Sequence, residues 1–487
     1  MFELNIMAQM LTSLISSLNF TCATYFVVAV VGFIVREDGY GVTSFVRALN
    51  LPGNCYNGLI CFFKKSSVDK MILEQKWWHV VDTMCFPCTI DGKMILIIDG
   101  TKVIKEGKRM PSIKKLGQTS EDQTKPTFIW GTNYQSVSLL CGNENNRFCI
   151  PLTMSIVDGV SATADWEDSP YKKESQIVRA ANDACEIAKE LNKRAIVLGD
   201  RYYLSRNAVK ILLEYNKSHP GYELYLVSKA KSNYTAYLPL TEEEKKDKRR
   251  KKGEKVKLFD FFDDVNTQFE EKTVFLYDKE TEVKVARKEL LWGYGVYVPM
   301  SFVLVQYWDD EKGTLRREVL GSMDTTLSTT EIMQLYSCRF KIEVQFKDMK
   351  SHVKTFSYRF WSKCQPLLNK KRKKGDPDPL ESVTDPEARK LILKTLNATE
   401  LFVFCGMVAQ GIIQAIAIRY SIEGDLSKLR FQRTKANDIP SVENIMYVIR
   451  KNLNKYMYFN PDNLISFHIR MLVNKASWNE LKKKRHV

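Results

Sequence analysis

Histidine is almost missing from this chain, with five among 487 residues, so a metal centre built from several imidazoles has little to draw on. Cysteine is present, but not in a pattern. The 11 cysteines are an odd number scattered among apolar neighbours, which implies no disulfide framework and suits reduced core thiols in a cytoplasmic protein. Cys85-Phe-Pro-Cys88 has no second pair at zinc-ribbon spacing, so two packing thiols are favoured over a zinc site. Glycine and proline are sparse, 23 and 15, which excludes collagen-like and low-complexity architectures. Acids are in deficit: 57 Asp and Glu against 73 Lys and Arg leave a formal charge of +16. A surplus of that size favours a polyanionic partner, either nucleic acid or an anionic membrane surface.

Charge of either sign is also missing from residues 4 to 35. The stretch is long enough to cross a bilayer, yet Asn5, Gln9, Thr12, Ser13, Ser16, Ser17, Asn19, Thr21 and Thr24 interrupt it. The strictly apolar run is only Tyr25 to Val35, the length of a buried helix. No Lys or Arg precedes Arg36, so a signal peptide fits poorly. A buried N-terminal helix and no membrane partner are therefore expected, and the same holds for the apolar stretch Ala398 to Tyr420.

The first 90 residues read as helical. From Lys93 the pattern changes: Met94 to Ile98 is a continuous apolar run ending in Asp99-Gly100, a buried strand stopped by an acid and a turn. Ser136 to Cys141 and Phe148 to Val157 read as strands antiparallel to it, Glu174 to Asn192 as a helix, and Ala195 to Gly199 as a second apolar strand delivering Asp200. A helix from Leu204 to Tyr215 and a strand from Tyr222 to Val227 follow. Residues 229–315 hold strand-like stretches, Thr273 to Tyr277, Thr281 to Val285 and Val296 to Trp308, after a charged segment whose Lys245 to Lys252 run reads as a solvated helix. Ser328 to Ser351 reads as one helix, with Ser328 and Glu331 in capping-box spacing. The boundaries that follow are 1–90 (helical), 91–228 and 316–365 (an α/β core in two parts), 229–315 (a mostly β insertion) and 366–487 (helical and basic).

The Ser328 to Ser351 segment also carries Tyr336, Arg339, Glu343, Lys347 and Lys350. At 100° per residue Tyr336, Arg339, Glu343 and Lys350 fall within one arc of about 60°, and Lys347 about 20° from Tyr336. An amphipathic helix buries apolar residues on its inner stripe, whereas this face gathers a phenol, a guanidinium, a carboxylate and ammonium groups. Beside two acids at adjacent strand ends, Glu343 would complete an oxygen-ligand site for Mg²⁺ or Mn²⁺. Two such ions serve in-line displacement at phosphorus. Taken singly these features have plainer readings: an Asp after a strand is commonly a terminator, and Arg339 and Glu343 at i, i+4 are commonly an exposed ion pair.

The spacing Tyr-x2-Arg-x3-Glu-x6-Lys resembles the signature of bacterial insertion-sequence transposases with an RNase H-like DDE catalytic domain, and Tyr336, Arg339, Glu343 and Lys350 match every position. Ile98-Asp99-Gly-Thr101, Trp130 to Tyr134, Pro151-Leu152 and Leu198-Gly-Asp200-Arg201 resemble the same family's core segments. The resemblance covers residues 93–228 and 315–355 and the ends only loosely. It implies an RNase H-like mixed sheet with flanking helices, interrupted by the insertion. It implies that Asp99, Asp200 and Glu343 bind two Mg²⁺ or Mn²⁺ ions, and that Tyr336, Arg339 and Lys350, with Lys347 beside them, contact double-stranded DNA at the ends of a mobile element. Cleavage of those terminal inverted repeats and joining of a 3′-hydroxyl to target DNA, in a homodimer, is the implied activity. An inactive relative that only binds DNA is the alternative.

Two departures stand out. Gly100 takes a place where relatives carry an acid or a small polar residue. Leu315 to Leu320 holds Arg316 and Arg317 and no aromatic to stack on an extruded base, while Trp292 and Trp308 upstream read as core or insertion packing. The charge distribution agrees with a DNA partner: residues 340–374 hold eleven Lys or Arg against Glu343 and Asp348, a net of +9, and such a segment would follow a phosphate backbone.

Overall fold

The absence of charge near the N-terminus is explained by where those residues go. In the computed structural model, which describes residues 2–65, 68–118, 126–143, 146–277, 279–309, 313–371, 375–423 and 439–484 (side chains through 474), they form two helices, α1 (Phe2–Ile15) and α2 (Phe20–Val35). Asn19 caps α2, its side-chain oxygen accepting from the Cys22 N–H at 2.9 Å, and every residue from Phe26 to Val35 is buried. Helices α3 (Val42–Ala48), α4 (Cys55–Lys65) and α5 (Lys70–Met84) follow. The ring nitrogens of Trp77 and Trp78 on α5 donate to the carbonyls of Pro151 and Leu152 at 2.7 and 3.0 Å, which fixes the helical region to the sheet.

The strands are β1 (Thr89–Ile90), β2 (Lys93–Ile104), β3 (Lys114–Gly117), β4 (Phe128–Gly142), β5 (Arg147–Ile156), β6 (Ala195–Gly199) and β7 (Leu224–Lys229), with helices α6 (Gln176–Leu191) and α7 (Arg206–Ser218) on either side of β6 in the chain. Strand β4 pairs antiparallel with both β2 and β5, while β6 runs parallel to β2 and β7 parallel to β6. The order across this part is therefore β5-β4-β2-β6-β7. The reason lies in the sequence: β6 is apolar at every position and all of it is buried, as a parallel strand covered on both faces must be.

Residues 229–315 contribute β8 (Thr235–Tyr237), β9 (Lys255–Lys257), β10 (Glu270–Leu276), β11 (Lys279–Trp292) and β12 (Val298–Asp309), and β13 (Thr314–Ser322) straddles the boundary expected at 315. They do not form a separate layer. Strand β13 pairs antiparallel with β7, Leu320 opposite Lys229, and with β12 on its other side, so one thirteen-stranded mixed sheet runs through core and insertion alike. The run Lys245 to Lys252 is exposed throughout except for Lys252, but it is not the expected helix. Only a 3-10 turn, Glu244–Lys246, forms there, because consecutive like charges repel and no apolar stripe holds them to the protein.

The expected helix from Ser328 to Ser351 is two helices, α8 (Thr329–Cys338) and α9 (Lys341–Ser351). Ser328 and Glu331 form the capping box as expected. At the joint, the N–H groups of Arg339, Ile342 and Glu343 donate to carbonyls three residues back, those of Tyr336, Arg339 and Phe340. This is a tightened turn that breaks the α-helical register. Helix α10 (Pro386–Glu423) extends twelve residues before the expected start. It is the one helix among the described residues long and apolar enough to cross a membrane, and its apolar window is wholly buried inside the protein. Helices α11 (Val442–Phe459) and α12 (Leu464–Lys484) complete the chain. In the basic runs at Lys370 to Lys374 and Lys482 to Arg485, residues 372–374 and Arg485 lie outside the described residues.

Candidate functional site at the carboxyl ends of two parallel strands

Ile98 on β2 is level with Gly199 on β6. Since the two strands are parallel, the next residue of each, Asp99 and Asp200, comes level with the other, and neighbouring strands are about 4.8 Å apart. Strand β6 ends there, whereas β2 does not stop at Asp99-Gly100 as expected but runs on to Ile104, because β4 continues to pair with it past the acid. Local sequence holds each in place. The Asp99 Oδ1 accepts from the Gly100 N–H at 2.7 Å, and the Asp200 Oδ1 accepts from the Tyr202 N–H at 2.8 Å. The Ser228 hydroxyl, on the adjoining strand β7, donates to the Asp200 carbonyl at 2.7 Å.

Helix α9 brings the third acid. Arg339, at the joint, points one nitrogen at Asp99 Oδ2 (3.3 Å) and another at Glu343 Oε1 (2.6 Å), so a single guanidinium links the acid on β2 to the helical one. Burial pushes the Asp99 carboxyl up to about 7; Arg339 opposes that shift, while Asp200 and Glu343 add to it. Burial also works against the charge of Arg339, but Tyr336, Asp99 and Glu343 outweigh it and hold its pKa above the ordinary value. Asp99 is thus a carboxylate with less positive charge nearby than it needs. As the side chains stand, no group of three or more acids, histidines or cysteines among the described residues converges on one point, because Glu343 is turned toward Arg339.

The remaining expected residues divide. Lys347 and Lys350 are exposed on α9, and Glu343 with them, whereas Tyr336 is buried on α8. The projection onto one continuous helix face fails at the Arg339–Phe340 joint, and Tyr336 instead lines a cavity of about 550 Å³ between α8 and strands β10 to β13. Burial pushes its hydroxyl above the ordinary tyrosine value, with Asp200 among the lesser causes.

No protein-family model and no curated protein matches this chain.

The residues around the acids include several that sequence reasoning missed. Tyr203 donates to Gln135 Oε1 at 2.8 Å and receives the Gln176 amide at 3.2 Å; Gln176 in turn accepts from Asn133 at 3.1 Å. This polar lattice lies under Asp99 and gives Gly100 its reason: a Cβ there would meet Gln176 Nε2 at 2.0 Å. The only signal in the sequence was the glycine itself. Trp308 was read as packing, yet its side chain is 59% exposed and lines the Tyr336 cavity with Tyr277 and Tyr307. An aromatic that projects from a β-strand into solvent cannot be told from a core aromatic without the register of its neighbours. Trp292 is buried beside Tyr234, as expected. Cys85 is fully buried and its thiol is pushed up by that burial, and burial takes Cys88 to about 11, with both present as free thiols.

Proposed function

We propose that the chain is a DNA transposase of the RNase H-like DDE type, which cleaves the ends of a mobile element and joins the freed 3′-hydroxyl to target DNA. The observation that carries this is the level pairing of Ile98 with Gly199, which sets Asp99 and Asp200 side by side, together with the Arg339 link from Asp99 to Glu343. The strand order β5-β4-β2-β6-β7, three antiparallel strands followed by two parallel ones, supports an RNase H-like core. Residues 1–90 and 366–487 fit DNA-end binding and dimerisation in a synaptic homodimer, acting in the cytoplasm.

The donor set fits Mg²⁺ or Mn²⁺. Asp99, Asp200 and Glu343 offer only carboxylate oxygens, the hard ligands these ions take, and the raised pKa of Asp99 marks a carboxylate that a cation would stabilise. These three residues would hold the two ions, with Glu343 exchanging its ion pair with Arg339 for that role. Bound there, the ions supply Lewis acidity to the attacking and leaving oxygens of an in-line displacement. The chain's own contribution is positioning: Arg339, Lys347 and Lys350 offer charge to phosphates flanking the scissile one, and the Tyr336 hydroxyl and cavity border the same place.

One observation favours a second reading, a DNA-binding relative without turnover: Arg339 already occupies both Asp99 and Glu343 with ion pairs. Strand cleavage and joining on DNA carrying the sequences that flank the coding region, with Mg²⁺ or Mn²⁺, separates the two. The transposase reading expects cleavage by the wild type and at least about a 1000-fold loss in Asp99→Ala, Asp200→Ala and Glu343→Gln, about 4 kcal/mol of transition-state stabilisation. Equal cleavage by wild type and Glu343→Gln overturns the site. DNA binding with no cleavage by any of them leaves the second reading.

A further inference from the structure

Beyond Glu343, the chain does not leave the catalytic strand. Helix α9 passes over β2, and the segment after it continues along the strand's far half, where the Lys105 ammonium donates to the carbonyls of Phe356 and, at 3.2 Å, Tyr358. Asp99, Thr101, Val103 and Lys105 alternate onto one face of the strand, so the acids and Lys105 are two ends of a single line. From Asp99 to Ile104 that line is about 17 Å long, the length of about five base pairs of duplex DNA.

At the far end lies an open cavity of about 780 Å³ whose lining includes Lys105, Lys108, Arg109, Arg359 and Trp361, with Glu106 as its one acid. Trp361 is 51% exposed, and Arg359 and Lys108 are exposed as well. The N-terminal region contributes to the same rim. Gly39 lines the cavity, and the exposed Tyr40 ring has the Arg359 guanidinium 5.4 Å away and that of Arg47 5.5 Å away. Arg36 fixes the alignment: buried over the Phe33 ring at 4.3 Å, it donates to the carbonyls of Val353 and Lys354 at 2.9 and 2.7 Å, so the loop before Tyr40 and the segment after α9 are held together. Burial pushes Lys105 down to about 7, and Arg359 adds to the shift.

We propose that this basic and aromatic patch, Lys108, Arg109, Arg359 and Trp361 with Tyr40 at its rim, is a second docking surface for double-stranded DNA, holding backbone phosphates about five base pairs from the strand-end acids. The inference rests on the reading of the acids as a DNA-cutting site. Charge complementarity selects the partner: Lys108, Arg109 and Arg359 against Glu106 suit a polyanion, and guanidinium groups with exposed aromatics suit phosphate and sugar. Lys347 and Lys350, exposed on α9, lie in the chain between Glu343 and Arg359.

The test compares wild type, Asp99→Ala, a Lys108→Glu/Arg359→Glu double variant and its neutral form Lys108→Gln/Arg359→Gln. A fluorescently labelled 30-base-pair duplex is titrated at several salt concentrations, and thermal unfolding of each variant is followed by circular dichroism. Asp99→Ala, which removes a negative charge from the DNA path, should bind at least as tightly as wild type. The neutral double variant should bind about tenfold more weakly, with the slope of log affinity against log salt shallower by about 2, one phosphate contact per cation lost, and an unchanged melting temperature. Wild-type affinity and slope in both double variants overturn the patch while leaving the acid site standing. Absence of duplex binding by the wild type overturns both. Loss of binding to phosphatidylserine vesicles with duplex binding intact assigns the patch to a membrane surface instead and also overturns it.

Discussion

Two clusters of opposite charges lie in this molecule, and they are built differently. At the meeting of α5, α6 and α10, Lys70 contacts Glu74 and Glu400 at 3.0 and 3.3 Å, and Arg179 contacts Asp183 and Glu174 at 2.9 and 3.4 Å. Glu400 also accepts from the Ile156 N–H at 3.0 Å and Arg179 donates to Ser155. Burial works against the Lys70 charge, but Glu400 and Glu74 outweigh it and hold its pKa above the ordinary value. The strand-end cluster has one guanidinium for Asp99 and Glu343, with Asp200 beside them, and its central carboxyl is pushed up to about 7. The first cluster sets two cations among four acids, burial holds its Glu74 and Asp183 above their ordinary values, and it ties the helical regions to the sheet. The second sets one cation among three acids where Glu343 is exposed, and an acid-rich cluster open to solvent is placed to receive a cation or a reacting group.

The comparison breaks first in stability. Removing Glu400 takes a buried partner from Lys70 and the acceptor from the Ile156 N–H, so Glu400→Ala is expected to cost about 3 kcal/mol, read as a lowered urea midpoint. An unchanged midpoint would mean that the cluster is a solvated network.

Asp99→Asn should act in the opposite direction. A folded-state pKa raised from 3.8 to about 7 means that the folded protein disfavours the ionised form, so a stability penalty sets in above about pH 4, grows to about pH 7 and then stays level. The variant should therefore be more stable than wild type at pH 8, by up to about 4 kcal/mol, and equal to it near pH 4. Lower stability of Asp99→Asn at pH 8 would make Asp99 a structural acid like those of the other cluster.

The same titration sharpens the proposal of a cation at the acids. A cation has to displace the Asp99 proton, so the Mn²⁺ affinity measured by calorimetry should fall about tenfold per pH unit below 7 and level off above it. An affinity independent of pH between 5 and 8 would detach the ion from Asp99. The smallest effect belongs to the helix that leads into the site: Ser328→Ala removes the α8 cap and should cost about 1 kcal/mol without altering the Asp99 pH profile.

Much of this was legible in the chain. The β6 run Ala195–Gly199 is bounded as expected because five apolar residues between Arg194 and Asp200 have one stable place, a buried parallel strand. The Ser328–Glu331 box marked where α8 begins, since a cap is a local hydrogen bond. The α8–α9 break was not legible: no Pro or Gly marks Arg339–Phe340, and the turn tightens where Arg339 is drawn toward Asp99, 240 positions earlier. The exposure of Trp308 was equally out of reach, because it depends on which strand pairs with β12.

By itself the sequence determined which segments are apolar enough to be buried strands, which acid follows each apolar run, and which cations follow Glu343. Those are properties of neighbouring residues. The tertiary structure alone decided that Ile98 stands level with Gly199, that one guanidinium joins Asp99 to Glu343, and that Tyr40 meets Arg359. The reason is that register and long-range ion pairs are fixed by the packing of whole elements, and no short stretch of chain carries the information to set them.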